Sequence, residues 1–592
     1  MNMINFHFYI GFPLTPEASL PDRQALGVRG LYTLLIYILS NSIHSQSDTA
    51  HHFFKDITTQ SSIHHQFKVY EGMFGGGACA FDLNHDGFED VYITGGMNDD
   101  ALYINQKNGT FKNAFNGSGL ELTKQYVTQG VAYSDVNRDG WEDLFITTIT
   151  IRDTVLTIPR AVNLLFINNK NGTFRDATKE YKLDKFISFS TGASFGDINR
   201  DGYPDMYIGN YFLDYQGQLS VINDATIVNA NQTAKGNLLI NHHGKYFTDD
   251  YKKWGLSHRG FGFGGVFTDF DNDGDLDLFV NQDFGYKAVP DFLFENLYPK
   301  SKFHDVSKEY NMDLKINSMG TAVGDYDNDG DLDYYMTNIR FNQFMVNQGK
   351  GKPFINKSKE SGLEYFAISW GANFADFDND GDLDLFVSNG DLNPNCVPMA
   401  DFYFENDGQG HFIENARKYG INDYGIGRGS IIFDMDNDGD LDLLVVNQEP
   451  TCKNYPANSE THLYRNDSAG ANWIEIQLKG NASDFNGIGS RINLYAGNQK
   501  LIREIDGGSS SHLSQNSSVV HFGLGLIKSI DSIEVKWTSG NVQTILHPDM
   551  HQKIILEEKT IQEKSLSTTK YILGLFILIL AFAIFLFIKK ML

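Results

Sequence analysis

A nine-residue acidic phrase is the chemical signature of this chain. At Asp269 it reads Asp-Phe-Asp-Asn-Asp-Gly-Asp-Leu-Asp, and the strand-forming run Leu278-Phe279-Val280 follows directly. Other copies begin at Asp82, Asp135, Asp197, Asp325, Asp376 and Asp434, seven in all. Each has Asp at position 1, Asp or Asn at 3, Asp at 5, Gly at 6 and Asp at 9. Oxygen-bearing side chains on alternate residues of a tight loop converge on one hard cation; the Gly supplies the turn, and the last Asp closes the shell. An EF-hand loop begins the same way, but it needs Glu at position 12 and flanking helices. Here position 12 is apolar or small, and the phrase runs into a β-branched and aromatic strand. The pattern predicts a calcium loop within a β-hairpin. A solvated acidic turn is the plainer alternative, because Asp and Gly are common in turns, but seven copies in register argue against it.

The candidate ligand sets occupy positions 1, 3, 5, 7 and 9. They are Asp82, Asn84, Asp86, Phe88 and Asp90; Asp135, Asn137, Asp139, Trp141 and Asp143; Asp197, Asn199, Asp201, Tyr203 and Asp205; Asp269, Asp271, Asp273, Asp275 and Asp277; Asp325, Asp327, Asp329, Asp331 and Asp333; Asp376, Asp378, Asp380, Asp382 and Asp384; and Asp434, Asp436, Asp438, Asp440 and Asp442. Up to seven Ca2+ ions are expected.

These loops need a scaffold, and composition points to an all-β one. The chain has 592 residues, enough for more than one domain, with 13% aromatics and 57 Gly. Its formal charge is −26, and seven divalent cations would offset about half of that. No basic stripe is present to neutralise phosphates, which disfavours nucleic acid as a partner. Of the three cysteines, Cys79 reads as a buried thiol, while Cys396 and Cys452 fall in corresponding loops of adjacent repeats, where a disulfide is one possibility.

Residues 1–47 contain Arg29, the apolar run 31–39 and then Ser40-Asn41-Ser42, the layout of a signal peptide or signal anchor. That run lies far from the first Met, consistent with translation starting near Val28. The repeats fill 51–467. Loop starts are 53, 62, 72, 56, 51 and 58 residues apart, the period of four-stranded propeller blades. Within each repeat, one strand enters the Asp loop and a second leaves it. A variable loop, a third strand and an Asn/Gly turn precede a fourth strand beginning at Phe111, Phe174, Phe247, Phe303, Phe354 or Phe412. The seventh repeat lacks its fourth strand. Phe54-Lys55-Asp56-Ile57-Thr58 reads like Phe174-Arg175-Asp176-Ala177-Thr178, so the N-terminal strand is expected to close a seven-bladed ring and protect its edges. A Gly lies five residues before every loop start, from Gly77 to Gly429, where inner strands crowd the axis.

The repeats resemble the FG-GAP/VCBS repeats of integrin α-like propellers, a resemblance that implies calcium in these loops. The first three copies depart from it. With Asn84, Asn137 and Asn199 at position 3, they hold three carboxylates in place of four and are expected to bind more weakly. Residues 472–558 form a second β unit, a small sandwich or barrel without an Asp loop. Asn486-Gly487-Ile488-Gly489-Ser490-Arg491, Gly507-Gly508-Ser509 and His521-Phe522-Gly523-Leu524-Gly525 make it resemble the ASPIC/UnbV domain that follows such propellers in the cartilage acidic protein-like family. A polar linker, 559–570, leads to eighteen uncharged residues, 571–588, long enough to span a bilayer as a transmembrane helix, with Lys589-Lys590 in the tail 589–592. The lysines place the C-terminus in the cytoplasm and the propeller outside, in the cell envelope. Extracellular calcium modules bind at about 10⁻⁴–10⁻³ M, which suits that side.

Six residues before each loop start stand Gly76, Gln129, Thr191, Phe263, Met319, Trp370 and Arg428, expected around the mouth of a central channel. They either bind a ligand there or plug it; aromatic residues and Arg are favoured anchors. No GxSxG, HExxH or Cys/His nucleophile arrangement is present. The expectation is therefore a membrane-anchored calcium-binding adhesion or scaffold module with a protein or glycan partner. The alternative is a cell-surface enzyme, or enzyme accessory, acting on polysaccharide through the face opposite the calcium loops.

Overall fold

The computed structural model describes residues 53–70, 74–151, 161–186, 189–212, 233–391, 397–468 and 470–559. The expected leader, 1–47, and the membrane segment, 571–588, lie outside them, as does Cys396. Among the described residues no helix is long and apolar enough to cross a membrane.

Seven antiparallel sheets of four successive strands follow one another along the chain, in propeller arrangement. The fourth blade is typical: Phe261–Thr268 enters the Asp loop, Asp277–Asp283 leaves it, and Phe292–Asn296 and Phe303–Asp305 complete the sheet. The inner strands are buried almost throughout because both faces pack against neighbouring blades. The sixth sheet gains an extra edge strand, Ile339–Phe341, paired with the start of Phe366–Ala375.

The seventh blade is completed from the other end of the chain. Phe54–Asp56 pairs antiparallel with His462–Asn466, Phe54 opposite Asn466 and Asp56 opposite Tyr464. Phe54 is buried against Phe377 and Tyr403. The ring shuts where Gly429 N–H donates to the Gly76 carbonyl at 3.1 Å, joining the seventh blade to the first.

The C-terminal unit is two packed sheets. One holds Asn472–Lys479 between Val520–Gly525 and a parallel Lys553–Glu557. The other runs Gln499–Glu504, Arg491–Ala496, Ser532–Lys536, Val542–Leu546. Ile474, Ile476, Ile492, Leu494 and Val535 form its centre, and the same apolar cluster continues into Phe145, Phe195 and Met206 of the propeller. The Glu558 carboxylate pins its end. It accepts from the N–H groups of Asn481, Ala482 and Ser483 at 2.7–2.8 Å, and from Ser539 and Asn541.

Candidate metal centres

Each Asp loop is wound by its own carboxylates. The position-1 Asp accepts from the N–H of the Gly at position 6, as Asp135 does from Gly140 at 2.7 Å and Asp269 from Gly274 at 3.0 Å. In six of the loops, all but that of blade 6, the position-1 carboxylate also accepts from the N–H at position 5. The Gly at position 6 takes positive φ in every copy, +89° at Gly274 and +103° at Gly381, a region in which a side chain would be strained. The position-9 Asp is buried at the head of the second strand and bridges two elements. Its Oδ1 accepts from the N–H of the Asn ending the third strand in all seven blades, from Asn105 to Asp90 through Asn466 to Asp442.

This winding aims the remaining oxygens inward. In the last four repeats three carboxylates come within 4.8 Å of one another: Asp269, Asp271 and Asp273; Asp325, Asp327 and Asp333; Asp376, Asp378 and Asp380; Asp434, Asp436 and Asp442. Burial, and then the neighbouring carboxylates, push these acids up, Asp376 to about 8, Asp325 to about 7 and Asp434 to about 6. A divalent cation reverses that penalty. The fit is testable on the acceptors. Asn84 Oδ1, Asp139 Oδ1, Asp275 Oδ1, Asp376 Oδ1 and Asp436 Oδ1 are buried without a hydrogen-bond partner. The donor set is all oxygen, which suits a hard cation such as Ca2+ or Mg2+ and not zinc.

The first three loops differ. Their position-3 residues are Asn84, Asn137 and Asn199, and lysines sit on the position-5 carboxylates of the first two: Lys107 on Asp86 at 3.3 Å and Lys170 on Asp139 at 3.4 Å. Lys350 makes a similar contact to Asp271 in the fourth loop, 2.9 Å away.

Two features escape the sequence reading. The first is the Asn closing each third strand. Its Nδ2 donates to the position-8 carbonyl of its own loop and, in six blades, to the position-2 carbonyl of the preceding blade's loop. Asn347 reaches Leu332 and Phe270, and Asn406 reaches Leu383 and Tyr326. The second is the axis. The loop Ser509–Ser514 of the C-terminal unit enters the propeller, where an added Cβ on Gly77 would lie 2.2 Å from the Leu513 carbonyl, and one on Gly192 2.2 Å from Ser509 Oγ. The expected glycine collar exists, but it makes room for this loop as well as for neighbouring strands. An Asn at the end of the third-strand run in all seven repeats, Asn105, Asn168, Asn241, Asn296, Asn347, Asn406 and Asn466, was the available signal for the first; no local pattern announces the second.

The C-terminal unit touches every Asp loop. Lys553 Nζ donates to the Gly87 carbonyl, Asp135 N–H to Asn486 Oδ1, Arg491 to the Asp269 carbonyl, and Gly525 N–H to the Asn379 carbonyl. His521 Nε2 lies 3.0 Å from the Gly439 carbonyl. Cβ positions at Gly202 and Gly330 fall 2.6 Å from the Ala482 carbonyl and 3.4 Å from Lys500 Nζ. The metal-loop face is therefore capped.

The seven channel residues are all buried. Phe263, Met319 and Trp370 pack with Leu513 in one cluster, His512 lies 4.8 Å from the Trp370 ring, and the Arg428 guanidinium stacks 4.2 Å over Trp370. Gln129 and Arg428 are 0% and 1% exposed. Cys79 is buried, and burial pushes its thiol up.

Known proteins share these features. The model described as FG-GAP-like repeat matches residues 82–146, 151–208, 269–336 and 325–387; the model described as ASPIC and UnbV matches 480–563. Cartilage acidic protein 1 of Xenopus tropicalis is 26% identical over 79% of this chain and 71% of its own length, and that of Homo sapiens 23% over 79% and 69%. A solved Agrocybe aegerita lectin recognising non-reducing terminal N-acetylglucosamine covers 68% of this chain and 89% of its own at 15% identity, with a TM-score of 0.36, too low to bear on activity. The chain is an FG-GAP-repeat protein with a C-terminal ASPIC and UnbV domain, similar over most of its length to cartilage acidic protein 1.

Proposed function

We propose that this protein is a calcium-stabilised binding module of the cell envelope, tethered by residues 571–588, with its metal loops clamped beneath the C-terminal domain and its opposite face offered to a protein or glycan partner. The observation that carries this reading is the cap. All seven Asp loops meet the C-terminal unit, so the cations serve the clamp, and among the described residues at the other strand ends several, Tyr286 and Phe366 among them, are exposed. Catalysis is disfavoured because loop carboxylates engaged with their own backbone suit a structural cation.

The opposite face has the composition of a docking surface. Tyr286, Phe341, Phe366, Val397 and Tyr424 are exposed there, Phe366 by 65%. Phe341 and Phe366 form an edge-to-face pair with centroids 5.7 Å apart. Exposed apolar patches rimmed by polar residues mark interaction sites. A protein and glycan array probed with the purified chain tests the proposal. A partner retained in calcium and lost in the double substitution Phe341→Ser, Phe366→Ser supports it; turnover of an arrayed glycan by the purified chain contradicts it.

A further inference from the structure

We propose that the C-terminal domain carries a second binding site, for the carboxylate of a hydroxyl-rich acid, in the cleft where its four-stranded sheet meets the fifth Asp loop. The cleft has a volume of about 300 Å3, and its walls include Asp329, Asp331, Arg491, Asn493, Lys500 and Lys536. The strand register builds one wall. Arg491 stands opposite Lys536, and Tyr495 opposite Lys500, so alternate residues of three strands present their side chains to the same sheet face.

The three cations of this wall have different roles. Arg491 is committed to the domain junction. It is 4% exposed, donates to the Asp269 carbonyl at 2.6 Å and to Glu504 at 3.0 Å, and also bonds Asn272 Oδ1. Lys500 and Lys536 have no ion-pair or hydrogen-bond partner among the described residues.

Asn493 adds the selective element. It is 1% exposed, its Nδ2 donates to Glu534 at 3.0 Å, and its Oδ1 is left without a donor. A buried acceptor without a partner is unfavourable, so a ligand that supplies a donor gains there. A bare inorganic anion satisfies the two ammonium groups but not Asn493. An acid carrying hydroxyls satisfies both: its carboxylate meets Lys500 and Lys536, and a hydroxyl donates to Asn493 Oδ1. Acidic saccharides and free hydroxy acids share this chemistry.

The far wall sets a condition that rests on the calcium reading. Asp329 and Asp331 repel an incoming carboxylate unless a cation in the fifth loop offsets them.

The test is calorimetric titration of the full chain with galacturonate in excess calcium, with galactose and inorganic sulfate as controls. Galacturonate is expected to bind more tightly than either. Lys500→Gln and Lys536→Gln are each expected to weaken it about tenfold, the worth of one charge-assisted hydrogen bond. Asn493→Ala is expected to bring galacturonate down to the level of acetate. Tighter binding of polygalacturonate than of gluconate assigns the site to a saccharide, and the reverse order to a free hydroxy acid. Galacturonate binding that is absent, or unchanged in both lysine variants, overturns the proposal when the chain still gains thermal stability from calcium. Lysine-dependent binding without calcium stabilisation would retain this site and remove the calcium reading instead.

Discussion

Asn105 Nδ2 donates a 2.7 Å hydrogen bond to the Met435 carbonyl, and through it the first blade holds the metal loop of the seventh. The same contact recurs from Asn241 to Val136, Asn296 to Ile198, Asn347 to Phe270, Asn406 to Tyr326 and Asn466 to Phe377, at 2.7–3.0 Å. Six of the seven pairs of adjacent metal loops are thus linked by one amide each, and winding one loop constrains the next.

These amides should be costly to remove. Asn466 is fully buried and serves the carbonyls of Leu441 and Phe377. Asn466→Ala leaves the Leu441 carbonyl unpaired and the Phe377 carbonyl with the Ser468 hydroxyl alone, an expected loss of about 1–3 kcal/mol. Chemical unfolding in excess calcium measures it. An exposed control such as Lys179→Ala should change stability by less than about 0.5 kcal/mol.

The axis gives a steric prediction. Gly77→Ala forces a methyl against the Leu513 carbonyl and the Gly130 backbone, neither of which can rotate away. The expected loss is at least about 2 kcal/mol. Gly429→Ala meets a movable Ser514 hydroxyl but also the Gly76 carbonyl, and should behave alike. Equal melting temperatures for wild type and Gly77→Ala would show that the loop does not occupy the axis.

Ring closure carries a pH signature. Burial pushes the Asp56 carboxyl up, but hydrogen bonds from His462 and Thr58 outweigh it and hold the group down to about 2. Burial likewise pushes His462 down, and the Asp56 and Asp423 carboxylates outweigh it and hold its pKa above the ordinary value. The depressed acid contributes stability that is present above the unfolded carboxyl range and lost as pH falls toward 2. The raised histidine contributes stability that is complete below about pH 6.5 and lost as pH rises through its folded value. Both contribute between about pH 4 and 6.5. The stability difference between wild type and His462→Gln should therefore be larger at pH 6 than at pH 9, as read by thermal melts at saturating calcium.

Much of this was legible from spacing alone. Seven copies of one phrase give the number of sheets, and the likeness of Phe54–Thr58 to Phe174–Thr178 gives the closing strand. Local pattern marks strand ends less well. In six blades the third strand ends at an Asn, the residue whose N–H the position-9 Asp binds, while in the fifth it ends at Val346, just before Asn347. The fifth blade's last strand begins at Ile355, one residue after the buried Phe354. The cap was not legible. Its loop meets glycines hundreds of residues away in sequence, and only tertiary packing sets that distance to zero. The channel residues illustrate the same limit: their types leave ligand binding and plugging open, and Leu513 and His512 fill the space they surround.

If cations hold the loops and, through them, the capped ring, their removal must loosen the whole fold. The most direct measurement is the melting temperature of the purified chain in excess calcium and in excess chelator. Unoffset carboxylates gathered in each loop repel one another, and ligand binding to the folded state alone stabilises it by mass action. The melting temperature is expected to fall by about ten degrees or more on chelation, since a unit of this size shifts by about 1 °C per kcal/mol and several sites each contribute a few kcal/mol, with recovery on adding calcium back. An identical melting temperature in calcium and in chelator would contradict it.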